Sequence, residues 1–140
     1  MTTAHKGSCL CGEVVFEIEG EFEHFFLCHC DRCRKDTGSA HAANLFSNDF
    51  NLRWLSGENQ VRSYQLPGSR HAKSFCLNCG SALPHRLSTG SVLMVPAGSL
   101  DSELSIKPQA HLFCSERASW DDGLERVPSC EELPEKNASG

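Results

Sequence analysis

The spacing of the cysteines limits this chain more than any other feature. Nine occur in 140 residues, at positions 9, 11, 28, 30, 33, 76, 79, 114 and 130. Seven fall into three tight groups: Cys9-Leu-Cys11-Gly12, Cys28-His-Cys30-Asp-Arg-Cys33 and Cys76-Leu-Asn-Cys79-Gly80. The count is odd and amounts to about 6% of the chain, below the density of a small secreted disulfide scaffold. The expected compartment is the reducing cytoplasm, where stable disulfides are rare and clustered cysteines point to metal or catalysis.

The first and third groups read as two halves of one metal site. Two thiolates one or two residues apart grip an ion from a tight turn. The glycine that follows each pair, Gly12 or Gly80, allows positive φ, so that amides can turn towards the sulfurs. Cys9, Cys11, Cys76 and Cys79 together supply the four-thiolate tetrahedron of a structural zinc, which would staple distant parts of the core. Buried free cysteines packed as small hydrophobes are the alternative.

The middle group differs. Cys28, Cys30 and Cys33 offer three thiolates, and three protein ligands with one open position is the catalytic form of a zinc site. His29 lies between two of them, but strand alternation points it away from the face shared by Cys28 and Cys30. Seven bound thiolates and two Zn2+ would take the formal net charge from −5 to about −8. A three-thiolate zinc is itself net negative and a poor generator of hydroxide, so it suits exchange with an incoming thiol better than hydrolysis.

Around these groups the chain reads as one mainly β domain with one short helix. In Glu13 to Glu19 the residues Val14, Phe16 and Ile18 alternate with mostly acidic neighbours, as in a half-buried strand. Further strands are expected at His24–Cys28, Ala40–Phe46, Phe50–Leu55, Gln60–Leu66, His71–Cys76, Ser91–Val95 and Ile106–Phe113. Turn clusters such as Ser56-Gly57, Pro67-Gly68-Ser69 and Thr89-Gly90-Ser91 separate them. The helix is expected over Asp31–Thr37, with Asp31 capping its start and Gly38 its end. Residues 1–6 are expected to form an N-terminal tail, 7–128 the domain, and 129–140 a polar tail that frays from Glu135. Asn137-Ala-Ser139 matches a glycosylation acceptor and is read as chance, because Met1 to Lys6 carries no secretory signature.

Charge and hydropathy exclude other classes. A sequence pI near 5.8 argues against a nucleic-acid partner, which leaves a basic footprint. No stretch approaches the ~20 apolar residues of a membrane span.

Gly7-Ser-Cys-Leu-Cys-Gly12, Cys28-His-Cys-Asp-Arg-Cys-Arg-Lys35 with Gly38-Ser39, and Phe75-Cys-Leu-Asn-Cys-Gly-Ser81 resemble the glutathione-dependent formaldehyde-activating enzyme family. Pro96-Ala-Gly-Ser-Leu-Asp101, His111-Leu-Phe113 and Trp120 extend the likeness. The resemblance implies an Mss4-like fold with two zinc ions per chain. One would be structural, on Cys9, Cys11, Cys76 and Cys79, and one catalytic, on Cys28, Cys30 and Cys33. It also implies a carbon–sulfur lyase, or S-(hydroxymethyl)glutathione synthase, acting on glutathione and formaldehyde. Arg32, Arg34 and Lys35 are candidates to hold the peptide's carboxylates. Phe46 and Trp54 are candidates to wall the pocket. Cys114 is expected in the core and Cys130 on the surface. The rival is a non-catalytic zinc-stapled binding module, which needs a fourth protein ligand on the middle group. A redox thiol protein fits less well, since no lone Cys-x-x-Cys sits on a βαβ pattern.

Overall fold

The computed structural model describes residues 3–87 and 90–134; the glycosylation match, the frayed end expected from Glu135 and part of the turn at Thr89 lie outside them. Among the described residues, eleven strands form three sheets. The first sheet joins β1 (Ala4–Ser8), β2 (Val15–Gly20) and β5 (Phe50–Ser56) in the order β1-β2-β5. The second joins β3 (His24–Cys28), β4 (Ala42–Ser47), β9 (His85–Arg86), β10 (Leu93–Pro96) and β11 (Ala110–Leu112) in the order β11-β3-β4-β10-β9. The third joins β6 (Val61–Gln65), β7 (Ala72–Cys76) and β8 (Ala82–Leu83) in the order β6-β7-β8. Every pairing is antiparallel except that of β11 with β3.

The alternation in the sequence becomes the core. Phe16 and Ile18 of β2 are fully buried between less buried neighbours. They meet Phe25 of β3, Leu45 of β4, and Leu93 and Val95 of β10 in one cluster with Val14, Leu83 and Cys76. Trp54 of β5 packs edge-on against Phe16, with ring centroids 5.9 Å apart. That places it on the core side and not at the pocket where it was expected.

Helix α1 (Asp31–Thr37) occupies its expected span and ends at Gly38 in a left-handed cap. Its N-cap is Cys30, not Asp31: the Cys30 Sγ accepts a hydrogen bond 3.3 Å from the Cys33 amide. A cap needs extended backbone with an acceptor aimed back at the first turn, and at Cys30 (φ −65°, ψ 157°) the backbone is extended. Asp31 is already helical and instead pairs with Arg34 at 3.3 Å.

Two further departures concern the ends. Ala4–Ser8 is a strand rather than tail, paired along its length with β2 and burying His5. Cys114 is exposed, not core. Phe113, the one non-glycine described residue with positive φ (57°), turns the chain outwards before it. Cys130 is exposed.

Candidate metal centres and the adjoining cavity

Two cysteine clusters form, and they are the groups singled out by spacing. Cys9 and Cys11 lie in the β1–β2 turn, while Cys76 ends β7 and Cys79 lies in the turn after it. Their sulfurs all lie within 4.8 Å of one another. The Cys9–Cys11 and Cys11–Cys76 separations are 3.5 and 3.9 Å. A tetrahedron with Zn–S bonds of about 2.3 Å has edges of about 3.8 Å, so the donors fit zinc. Gly12 (φ 81°) and Gly80 (φ 77°) take the left-handed conformation, and their amides close the turns onto the carbonyls of Cys9 and Cys76 at 3.1 and 2.7 Å.

The surroundings favour the thiolate at Cys9 and Cys79 and oppose it at Cys76, where the Cys79 and Asn78 amides lower the thiol but burial and the adjacent Cys79 and Cys9 sulfurs push it up to about 11. Burial pushes Cys9 up, but the Val14 amide, 3.2 Å from its sulfur, and the neighbouring thiols bring it below its ordinary value. The Ser81 hydroxyl and amide hold Cys79 down to about 5. Ser81 ties the halves together, since its Oγ also accepts from the Leu10 amide at 2.9 Å. The cluster thereby joins the β1-β2-β5 sheet to the β6-β7-β8 sheet.

Cys28 ends β3, Cys30 caps α1 and Cys33 sits in the first turn of α1. Their sulfurs also lie within 4.8 Å of one another, and among the described residues no fourth Cys, His, Asp or Glu joins the group. Burial raises the Cys28 and Cys33 thiols. Cys30 is also pushed up by burial, but the Cys33 amide and the adjacent sulfurs outweigh this and lower it.

His29 points the other way, as alternation requires. It is 2% exposed. Its Nε2 is 2.8 Å from His111 Nδ1 and its Nδ1 is 3.1 Å from Asp121 Oδ2. Burial depresses its pKa, with Asp121 opposing.

Beside Cys28 and Cys33 opens a cavity of about 240 Å³. Helix α1 contributes Asp36 and Thr37 to its wall, and β7 with its preceding turn contributes Arg70, His71 and Lys73. His71 Nε2 lies 2.8 Å from Asp36 Oδ2, and Lys73 Nζ lies 2.5 Å from Asp36 Oδ1. Phe46 lines the cavity as expected, whereas Trp54 does not. Nor do the candidate cations of the helix: Arg32 and Lys35 are exposed and Arg34 is bound to Asp31. Sequence reasoning missed Arg70, His71 and Lys73, since no spacing rule links them to a group some forty residues earlier.

A mainly β domain carrying two thiol clusters compatible with zinc, one of them on a cavity, is the class these features define. The chain belongs to the glutathione-dependent formaldehyde-activating enzyme family, whose sequence model matches residues 4–116. It is also similar to a Rhodobacter sphaeroides protein known from its crystal structure, at 26% identity and a TM-score of 0.53. That likeness covers 76% of this chain and 98% of the other. No curated protein matches the chain. No helix among the described residues is long and apolar enough to cross a membrane.

Proposed function

We propose that the protein is a cytoplasmic carbon–sulfur lyase of the S-(hydroxymethyl)glutathione synthase type. It joins the thiol of glutathione to formaldehyde or a related aldehyde, and runs the reverse step. The observation that carries this reading is the trio of Cys28, Cys30 and Cys33, three sulfurs in metal-ligand range, two of which, those of Cys28 and Cys33, belong to residues lining a cavity. Three protein ligands suit a catalytic zinc, while the four-cysteine cluster suits a second, structural one. When bound at the trio, zinc supplies a site that favours the deprotonated form of an incoming thiol.

The chain's own residues do the rest. The substrate thiol gives up its proton, its sulfur bonds to the carbonyl carbon, and the C=O electron pair moves to oxygen, which takes a proton. His71, oriented by the Asp36 carboxylate, carries that proton between sulfur and oxygen. Arg70 presents a cation to a carboxylate of the peptide, while Lys73 is held by Asp36. The non-catalytic alternative needs a fourth protein ligand at the trio, and its first candidate, His29, faces His111 and Asp121 instead.

Glutathione and formaldehyde also condense unaided, so the test is a rate. Exchange between free and adduct glutathione is followed by NMR with and without zinc-loaded protein. Acceleration lost in His71→Gln is expected; exchange at the background rate with metal intact refutes the proposal.

A further inference from the structure

A sheet covered on one side presents apolar residues to its core and polar residues to water. The β11-β3-β4-β10-β9 sheet departs from this pattern. Its core face carries Phe25, Leu45, Leu93 and Val95. The opposite face is also largely apolar: Phe26 and Cys28 on β3, Phe46 on β4, Met94 on β10 and Leu112 on β11 all line the cavity, with Asn44 of β4 the polar side chain among them. Phe26 and Phe46 lie with ring centroids 6.1 Å apart. Helix α1 and the β6-β7-β8 sheet wall this face in with Thr37 and Leu83, the half-buried Leu87 just after β9 adds to the wall, and about 240 Å³ is left between them.

That space is larger and more apolar than formaldehyde requires. A one-carbon aldehyde is little bigger than a water molecule, whose share of liquid volume is about 30 Å³. Nor do these walls suit glutathione itself, which carries two carboxylates and an ammonium group. Unpaired charges buried against phenylalanine and methionine cost several kcal/mol. The charged wall at Arg70 takes the peptide, and the apolar face is left for the group on the other side of the sulfur.

We infer that the carbon joined to sulfur in this site bears a hydrocarbon substituent, so that the substrates are alkyl or aryl aldehydes and their glutathione thiohemiacetals. This rests on the carbon–sulfur lyase reading and narrows its substrate. The bond changes are unchanged: sulfur to carbonyl carbon forms, the C=O pair goes to oxygen, and the thiol proton follows it. The substituent takes no part beyond filling the apolar space.

Stable thioethers read the cavity without turnover. Affinities of zinc-loaded protein for S-methyl-, S-propyl-, S-butyl- and S-hexylglutathione are measured by calorimetry. Each methylene that enters the cavity should tighten binding roughly fourfold, which corresponds to about 0.8 kcal/mol. Leu87→Trp should flatten the series while leaving S-methylglutathione within twofold, and Met94→Trp repeats the test from the sheet side should the first variant fold poorly. In the exchange assay, hexanal should be accelerated over its background at least tenfold more than formaldehyde. Affinities that stay within twofold or fall with chain length overturn the inference, as does the absence of binding by every thioether. Acceleration confined to formaldehyde overturns it too while sparing the lyase reading. A rising affinity series with no acceleration of any aldehyde refutes the lyase reading and upholds the hydrocarbon site.

Discussion

The two clusters should differ sharply in what they contribute to folding, and Cys79→Ser against Cys30→Ser measures the difference. The four-cysteine cluster connects Cys11 to Cys76, 65 residues apart in the chain. Closing a loop of that length removes roughly 4 kcal/mol of chain entropy from the unfolded state, by the relation used for covalent cross-links. The trio spans only Cys28 to Cys33, for which the same relation gives roughly 2 kcal/mol. Cys76 and Cys9 are also buried in the hydrophobic core, so an unfilled site there leaves polarisable donors among apolar side chains. Loss of ~4 kcal/mol is a large share of the ~5–15 kcal/mol that holds a small domain folded. Cys30→Ser is the cleaner substitution, because serine is a preferred N-cap and the bond from the Cys33 amide can persist. Urea titration, read by the fluorescence of Trp54 against Phe16, should show the midpoint falling by about 2 M or more for Cys79→Ser. Cys30→Ser should lose about half of that and retain one zinc. A midpoint for Cys30→Ser as low as that for Cys79→Ser would refute the division into structural and catalytic sites.

Elemental analysis of protein purified without chelator should find close to two zinc ions per chain, unchanged by Cys114→Ala or Cys130→Ser, whose thiols are exposed and outside both clusters. A chelator should take the trio's zinc first, with the melting transition still cooperative at one zinc per chain, because that site closes little of the chain. His85, its Nδ1 held 2.7 Å from Ser74 Oγ, has its pKa lowered by burial. Below the unfolded value of about 6.5 the unfolded state therefore binds the extra proton, and stability falls as pH drops. His85→Asn should flatten the decline in Tm between about pH 6.5 and the lower folded-state value, and a parallel decline in both proteins would refute the assignment.

What was legible in the sequence was what is local. Period-two alternation located β2, the stop at Gly38 located the end of α1, and the Cys-Gly endings located turns whose glycines do adopt positive φ. Ala4–Ser8 escaped notice because Ala-His-Lys-Gly-Ser has no apolar alternation. It is a strand because β2 offers it a full register, with Gly7 opposite Phe16. The run Ile106–Phe113 predicts a long strand, yet only Ala110–Leu112 pairs, in parallel with Phe26 to Cys28. Cys114 followed the general preference of cysteine for the interior, which the turn at Phe113 overrides. The cavity was illegible for a stronger reason. Its walls come from β3, β4, β10, β11, α1 and the β6-β7-β8 sheet, and only their packing places Arg70 and His71 beside Cys33.

The same alternation accounts for why the trio and the cavity are one site. Along β3 each step of one residue reverses the side-chain direction, so Phe25 goes to the core while Phe26 and Cys28 go to the cavity. Continued through the strand end, it sends Cys28 and Cys30 to one side and His29 to the other, where His111 and Asp121 receive it. A one-residue slip of β3 against β4 would exchange these sets, turning Phe26 and Cys28 away from the cavity they line. The pairings that prevent this slip are Phe26 with Asn44 and Cys28 with Ala42, and both couples face the cavity. Two residues along a strand cover about 7 Å, the distance from the Cys28 position to the Phe26 position. A group attached to a sulfur held at the trio therefore has a row of apolar contacts beginning within a few carbon–carbon bonds of it.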